Sequence, residues 1–223
     1  MSIHAASSVL QYTLRIPADF RPGAPLVVLL HGRGADKEDL ATLSEFLPAG
    51  AAAAFPRAPF PAAPWGYGPG FAWYRFLGGA QPEPESFSEG QAALDRYLTA
   101  LPARLPHRPG PIVLGGFSQG GTSALAWALA HPGRVAGVLM LSGFLAEHPS
   151  VRVSAETAKG LEVFWGHGTL DPSIPFALGE HGRAALRAAG ASVEAHDYPS
   201  GHTIVGEEME DARAWLNSRL QAW

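Results

Sequence analysis

Ser118 stands at the centre of Gly116-Phe117-Ser118-Gln119-Gly120, a G-x-S-x-G pattern lying between the apolar run "IVLGG" and the alanine-rich "TSALAWALA". A strand that turns this sharply into a helix holds its serine in a strained conformation with the hydroxyl exposed at the strand's C-terminal edge. Side chains in place of the two glycines would collide with neighbouring backbone. A hydroxyl so placed is suited to attack a carbonyl carbon. It is a poor nucleophile unless a base takes its proton and an acid orients that base. Gln119 opens the helix, so its amide lacks an intrahelical partner and points to where a tetrahedral oxyanion would form. The pattern alone also suits an ordinary turn; its place between strand and helix is what favours the nucleophile.

With a nucleophile on a strand–turn–helix unit of this kind, the expected chain order is Ser, then Asp or Glu, then His. Six histidines follow Ser118. His131 and His181 fall in predicted helices, and His196 lies in the alternating strand pattern "SVEAHDY". His148 is a further candidate by chain order, and His167 in "GHG" comes too early for it. His202 in "YPSGHTI" follows the last predicted strand and leads into the C-terminal helix, so it is the expected base. Asp171 in "HGTLDPSIP" occupies a loop beyond the penultimate strand, and Pro172 biases it to an extended or turn conformation. It is the expected acid. Its competitors are Glu147, after an earlier strand, and Asp197, inside a strand and too near His202 in sequence.

A second oxyanion amide is expected from the loop after an early strand. "VVLLHGRGAD" supplies such a strand followed by His-Gly-x-Gly, so the Arg33 amide is the candidate. The Arg33 side chain reads as solvated, and His31 as a residue that holds the loop. The acyl-binding wall is expected from residues 56–85, a Pro-, Gly- and aromatic-rich excursion without sustained period. Trp65, Phe71, Trp73 and Phe76 are the candidates there, against the alternative that they only pack the loop.

The elements that must position these residues follow from periodicity. Predicted strands cover 10–16, 25–31, 51–55, 111–117, 135–142, 161–166 and 192–198. Predicted helices cover 37–46, 88–104, 119–130, 177–189 and 203–221, with Ser88 and Gln91 spaced as a capping box. Several strands are apolar on both faces, which favours a parallel sheet covered by helices. The fold class is therefore α/β, with residues 1–223 read as one domain and no internal repeat.

Composition narrows the partners. The 223 residues are 47% hydrophobic and 16% charged, with net charge −4, so nucleic acid is a poor partner. Cysteine is absent, which removes disulfides, thiolate metal sites and a cysteine nucleophile. The N-terminal "MSIHAASSVLQYTLRIP" has no basic n-region or continuous apolar h-region, and "APLVVLL" and "VAGVLML" fall far short of the ~20 residues that span a bilayer. A cytoplasmic protein without a membrane span is expected. A homodimer is compatible with these patterns and not specified by them.

Together "LLHGRGAD", "FPRAP", "AWYRF", "LGGFSQGG", "LSGFL", "HGTLDPSIP" and "SGHTIVGEEMEDARAWL" resemble the phospholipase/carboxylesterase family, which includes acyl-protein thioesterases and small bacterial carboxylesterases. The segments run in order over nearly the whole chain. The resemblance implies an α/β-hydrolase fold with a mostly parallel central sheet flanked by helices and no large lid domain. It also implies a triad of Ser118, Asp171 and His202, with the amides of Arg33 and Gln119 as oxyanion hole. Arg75 in "AWYRF" departs from it, since relatives often carry an acidic residue there, and the preceding excursion is unusually rich in Pro and Gly.

The expected activity is cleavage of a small-molecule carboxylic ester or thioester through an acyl-enzyme, with no cofactor and no metal. Residues of the types His167, Asp171 and His202 also suit a metal, but the fold context favours a triad. Two rivals are a non-catalytic hydrolase-like binding protein and a dienelactone-hydrolase-like enzyme. The first is disfavoured by the intact residue set, and the second by the missing cysteine.

Overall fold

The computed structural model describes residues 10–220. Most of the N-terminal stretch read for a leader, and the last residue of the predicted C-terminal helix, lie outside them. The first half of the chain forms β1 (Tyr12–Arg15), β2 (Leu26–Leu30), β3 (Ala52–Pro56), β4 (Phe60–Pro61), β5 (Phe71–Ala72), β6 (Phe76–Gly78), β7 (Gln81–Pro82) and α1 (Pro84–Ala100). The second half forms β8 (Ile112–Phe117), α2 (Gln119–Ala130), β9 (Gly137–Leu141), α3 (Ala155–Ala158), β10 (Glu162–Gly168), α4 (Phe176–Ala188), β11 (Ser192–Tyr198) and α5 (Gly206–Leu220).

Seven strands make one sheet in the order β1-β3-β2-β8-β9-β10-β11. β1 is antiparallel to β3, and every other pair in the sheet is parallel. The alternation along β2 shows why these strands are apolar throughout. Leu26, Val28 and Leu30 enter a core with Leu94, Tyr97 and Trp127 from α1 and α2. Val27 and Leu29 enter another on the opposite face with Trp215 and Leu216 from α5. Both faces are covered, as a parallel sheet requires. α2 is buried from Gln119 through Leu129, and its alanine-rich sequence lets it lie close against the sheet.

The structure departs from the sequence expectations in several places, among them the unexpected short α3. The helix expected over 37–46 is a 3₁₀ helix over Ala41–Phe46 without a side-chain cap. The Asp36 carboxylate before it is engaged by Arg57, and Pro48 stops the segment one residue past Leu47. The helix expected from Ser88 starts at Pro84, whose fixed φ suits the first helical position. Ser88 is thus interior, its hydroxyl donating to the Pro84 carbonyl, while Gln91 donates to the Ser123 carbonyl on α2, so no capping box forms there. The 56–85 excursion contains two short antiparallel pairs, β4–β5 and β6–β7.

Candidate active site

The turn from β8 into α2 places Ser118 at φ 55°, ψ −119°, a region non-glycine residues rarely occupy. The two flanking glycines make that turn sterically possible. A Cβ at Gly116 would sit 2.3 Å from the Leu30 carbonyl oxygen, and one at Gly120 only 2.0 Å from the same atom. α2 therefore packs directly on the end of β2, and Ser118 is presented above the sheet's C-terminal edge.

His202 and Asp171 reach the same edge from the loops after β11 and β10. The Ser118 hydroxyl lies 2.9 Å from His202 Nε2, and His202 Nδ1 lies 2.6 Å from Asp171 Oδ2. The hydroxyl donates to the imidazole, whose Nδ1–H donates to the carboxylate. The Asp171 side chain is wholly buried, and its other oxygen accepts the amides of Ser173 and Ile174, both at 2.8 Å. Those two bonds form the turn that Asp-Pro promotes and leave Oδ2 to the imidazole. The His202 ring lies against Phe117, centroids 4.7 Å apart. An imidazole held this way can take the hydroxyl's proton while its own charge is balanced.

The structure separates the competing residues from this chain of bonds. His167 is buried behind Asp171, donating from Nε2 to the Ile174 carbonyl at 3.0 Å, and desolvation holds its pKa below the ordinary value. His196 stacks between Phe164 and Tyr198 and contacts Glu194 and Asp211. His131 stacks on Trp127, His148 bonds Ser150, and His181 is an exposed residue of α4. Glu147 is exposed and among the described residues reaches only Gln81, and Asp197 pairs with Arg183. No group of three or more His, Asp or Glu among the described residues is arranged to hold a metal ion.

The Arg33 and Gln119 amides border the same cleft as Ser118, and neither donates a hydrogen bond among the described residues. A web of side chains fixes both. The Gln119 side chain accepts from the Trp73 amide at 2.8 Å and donates to the Tyr74 carbonyl at 2.7 Å. Trp73 Nε1 donates to the His31 carbonyl at 2.9 Å. His31 Nδ1–H donates to the Gly32 carbonyl and Nε2 accepts the Ala58 amide, which sets one neutral tautomer. Burial lowers the His31 pKa in the same sense. His31 thus holds the loop, as its position after β2 suggests.

The cleft has a volume of about 170 Å³, and its apolar wall is Tyr74, Phe76, Phe117, Phe144 and Ile174. Of the four aromatics expected there, only Phe76 lines it. Trp73 is buried behind the loops that carry the Arg33 and Gln119 amides, Trp65 packs on Phe60 and Tyr67, and Phe71 lies under the Arg57 guanidinium. These three pack and order the excursion instead, Trp65 against its own aromatics and Trp73 in the core. Phe117 and Phe144 were visible in "LGGFSQGG" and "LSGFL", but nothing in their spacing marks a pocket. Arg75 pairs with Glu83 at the surface, outside the cleft.

Against β10, α5 carries a buried carboxyl. Glu208 packs so tightly on β10 that a Cβ at Gly166 would lie 2.1 Å from its Oε1. Desolvation is the main cause that raises its pKa from 4.5 to about 7, partly opposed by the Val205 amide and Arg183. The folded protein therefore keeps this proton through a range where the unfolded chain releases it, and stability falls as pH rises from about 4.5 to 7. At about 1.4 kcal/mol per pH unit, ionisation costs the fold on the order of 3 kcal/mol. Glu208→Gln is expected to exceed the wild type in denaturant unfolding by less than about 1 kcal/mol at pH 5 and by about 3 kcal/mol at pH 8. An equal difference at both pH values would show that the carboxyl titrates normally.

The sheet, the strained turn and the cleft at the strand ends are those of an α/β-hydrolase. The phospholipase/carboxylesterase family model matches residues 13–220, and the chain belongs to that family. Acyl-protein thioesterase 1 of Kluyveromyces lactis is 27% identical over 223 residues, covering 93% of this chain and 97% of its own. A probable carboxylesterase of Arabidopsis thaliana, SOBER1-like, is 34% identical over 116 residues, 51% of this chain and 44% of its own. The chain spans about half the length of the first curated relatives it matches. The crystal structure of Zea mays acyl-protein thioesterase 2 superposes with a TM-score of 0.76 at 25% identity, covering 95% of this chain and 99% of that one. No described helix is long and apolar enough to cross a membrane.

Proposed function

We propose that this chain hydrolyses carboxylic esters or thioesters of small molecules through an acyl-enzyme on Ser118. The observation that carries the reading is the unbroken hydrogen-bonded chain from buried Asp171 through His202 to the strained, cleft-facing Ser118 hydroxyl. Membership of a family whose named relatives include carboxylesterases and acyl-protein thioesterases supports it.

In the first half-reaction Ser118 Oγ bonds to the acyl carbon as its proton passes to His202 Nε2. Asp171 stabilises the imidazolium and holds the ring's tautomer. The oxyanion takes hydrogen bonds from the Arg33 and Gln119 amides. On collapse the bond to the leaving oxygen or sulfur breaks, and His202 returns its proton to the leaving group. Water then adds to the acyl carbon with His202 again as base, releasing the acid and the free serine.

The cleft is smaller than the ~300–1,000 Å³ typical of drug-sized ligand sites, which favours a short acyl group. The test is a series of para-nitrophenyl esters and matched acyl thioesters of graded chain length. Rates should peak at short or medium chains. Phe76→Ala should raise KM more for each added methylene, by up to about 0.8 kcal/mol apiece, whereas Trp65→Ala should affect all chains alike. A chain-length effect at Trp65 and none at Phe76 would move the acyl site out of this cleft. No turnover of any ester or thioester would contradict the hydrolase reading.

A further inference from the structure

Arg33 borders the cleft that holds Ser118, and its side chain rests on an aromatic platform that includes the cleft residue Phe76. Its guanidinium carbon lies 4.5 Å from the Tyr67 ring centroid and 5.6 Å from that of Phe76. The platform is fixed: the Tyr67 hydroxyl accepts the Phe76 amide at 2.9 Å and donates to the Phe76 carbonyl at 3.2 Å. The Arg33 loop is clamped to it as well. Gly34, at φ 81°, leaves no room for a Cβ, which would sit 2.3 Å from the Tyr67 carbonyl oxygen. Its amide donates to the Phe71 carbonyl at 2.8 Å.

Neighbouring cations are neutralised, Lys37 by Glu38 and Arg57 by Asp36. Arg33 makes no ion pair or side-chain hydrogen bond among the described residues. Aromatic faces attract a guanidinium but accept none of its five N–H donors in conventional hydrogen bonds. Arg33 is exposed, as its sequence context suggests, so the cleft borders a cation that rests on aromatic faces and whose N–H donors have no protein acceptor among the described residues. Asp39 is the opposing charge on the same cleft, and it is exposed.

We propose that the Arg33 side chain is a specificity determinant that selects esters or thioesters carrying a carboxylate a few atoms from the scissile carbonyl. The fork matches a carboxylate in two parallel hydrogen bonds, and the platform removes much of the rotamer freedom such a contact would otherwise cost. The proposal rests on the reading that Ser118 attacks that carbonyl. The carboxylate sits on either the acyl or the leaving-group side, and the two arms of the test separate these.

The test compares kcat/KM for an anionic and a neutral ester within each variant, so that differences in active fraction or in the oxyanion amide cancel. The acyl arm sets the para-nitrophenyl monoester of glutarate against para-nitrophenyl valerate. The leaving-group arm sets the butyrate ester of para-hydroxybenzoate against phenyl butyrate. In one arm the anionic-to-neutral ratio should fall about tenfold in Arg33→Gln, be partly kept in Arg33→Lys, and rise in Asp39→Asn. In the wild type that ratio should also fall as salt is raised. A ratio unchanged by Arg33→Gln in both arms overturns the proposal while leaving the hydrolase reading intact. Failure of the wild type to turn over any of the four esters overturns both.

Discussion

Ser118→Ala is expected to reduce ester hydrolysis by about 10⁶-fold in kcat, the scale on which serine hydrolases lose turnover when the nucleophile is removed. The change deletes one oxygen that donates to His202 and leaves the turn in place, since alanine meets the same constraint at φ 55° that serine does. The lost hydrogen bond contributes about 1 kcal/mol, so the unfolding transition should move little. Turnover is to be measured with a short para-nitrophenyl ester beside a thermal melt of the same sample. A folded alanine variant that retains a few per cent of the rate would remove Ser118 from the chemistry.

Asp171→Asn should cost about 10⁴-fold in kcat, because an amide presents a donor where the carboxylate accepts the His202 Nδ1–H. The substitution is close to isosteric. Its remaining oxygen can keep the bonds from the Ser173 and Ile174 amides, so the loop should hold its shape. What changes is the imidazole, driven toward the tautomer whose Nε2 carries the proton and cannot accept one from Ser118. Glu147→Gln is the matched control, since Glu147 is exposed and bonds Gln81 far from the triad, and it should leave kcat within about twofold of wild type. A large loss at Glu147 with none at Asp171 would exchange their roles.

Much of this arrangement was legible before any coordinates, and for identifiable reasons. The helix Gln119–Ala130 has the bounds the sequence suggests and the strand into Ser118 begins one residue later than expected, because glycine spacing and an unbroken alanine-rich segment leave few alternatives. The strand at 192–198 was equally plain from its alternation. Asp171 and His202 were reached through chain order and loop position, and the structure brings both to Ser118.

The acyl wall was the weakest reading. Aromatic richness marks residues that will be buried, but not whether they face a cleft or the protein. Trp73 shows the difference: its indole N–H and backbone amide are both used to hold the loops around the cleft. The Ser88 and Gln91 pattern failed for a similar reason, since Pro84 began the helix one turn earlier and a spacing alone does not locate a helix start. Glu208 and the Arg33 platform depend on contacts between segments far apart in sequence, which no local pattern encodes.

The central claim is that Ser118 forms the covalent bond to the substrate's acyl group. A fluorophosphonate tests this most directly, because its phosphorus takes the place of the acyl carbon and the adduct is not released. The protein is to be treated with a slight excess, its intact mass measured, and the modified peptide sequenced by mass spectrometry. One adduct per chain on Ser118, absent from Ser118→Ala and slowed by orders of magnitude in His202→Ala, is the predicted result. An adduct on another residue, or none from a preparation that still hydrolyses esters, would contradict the account.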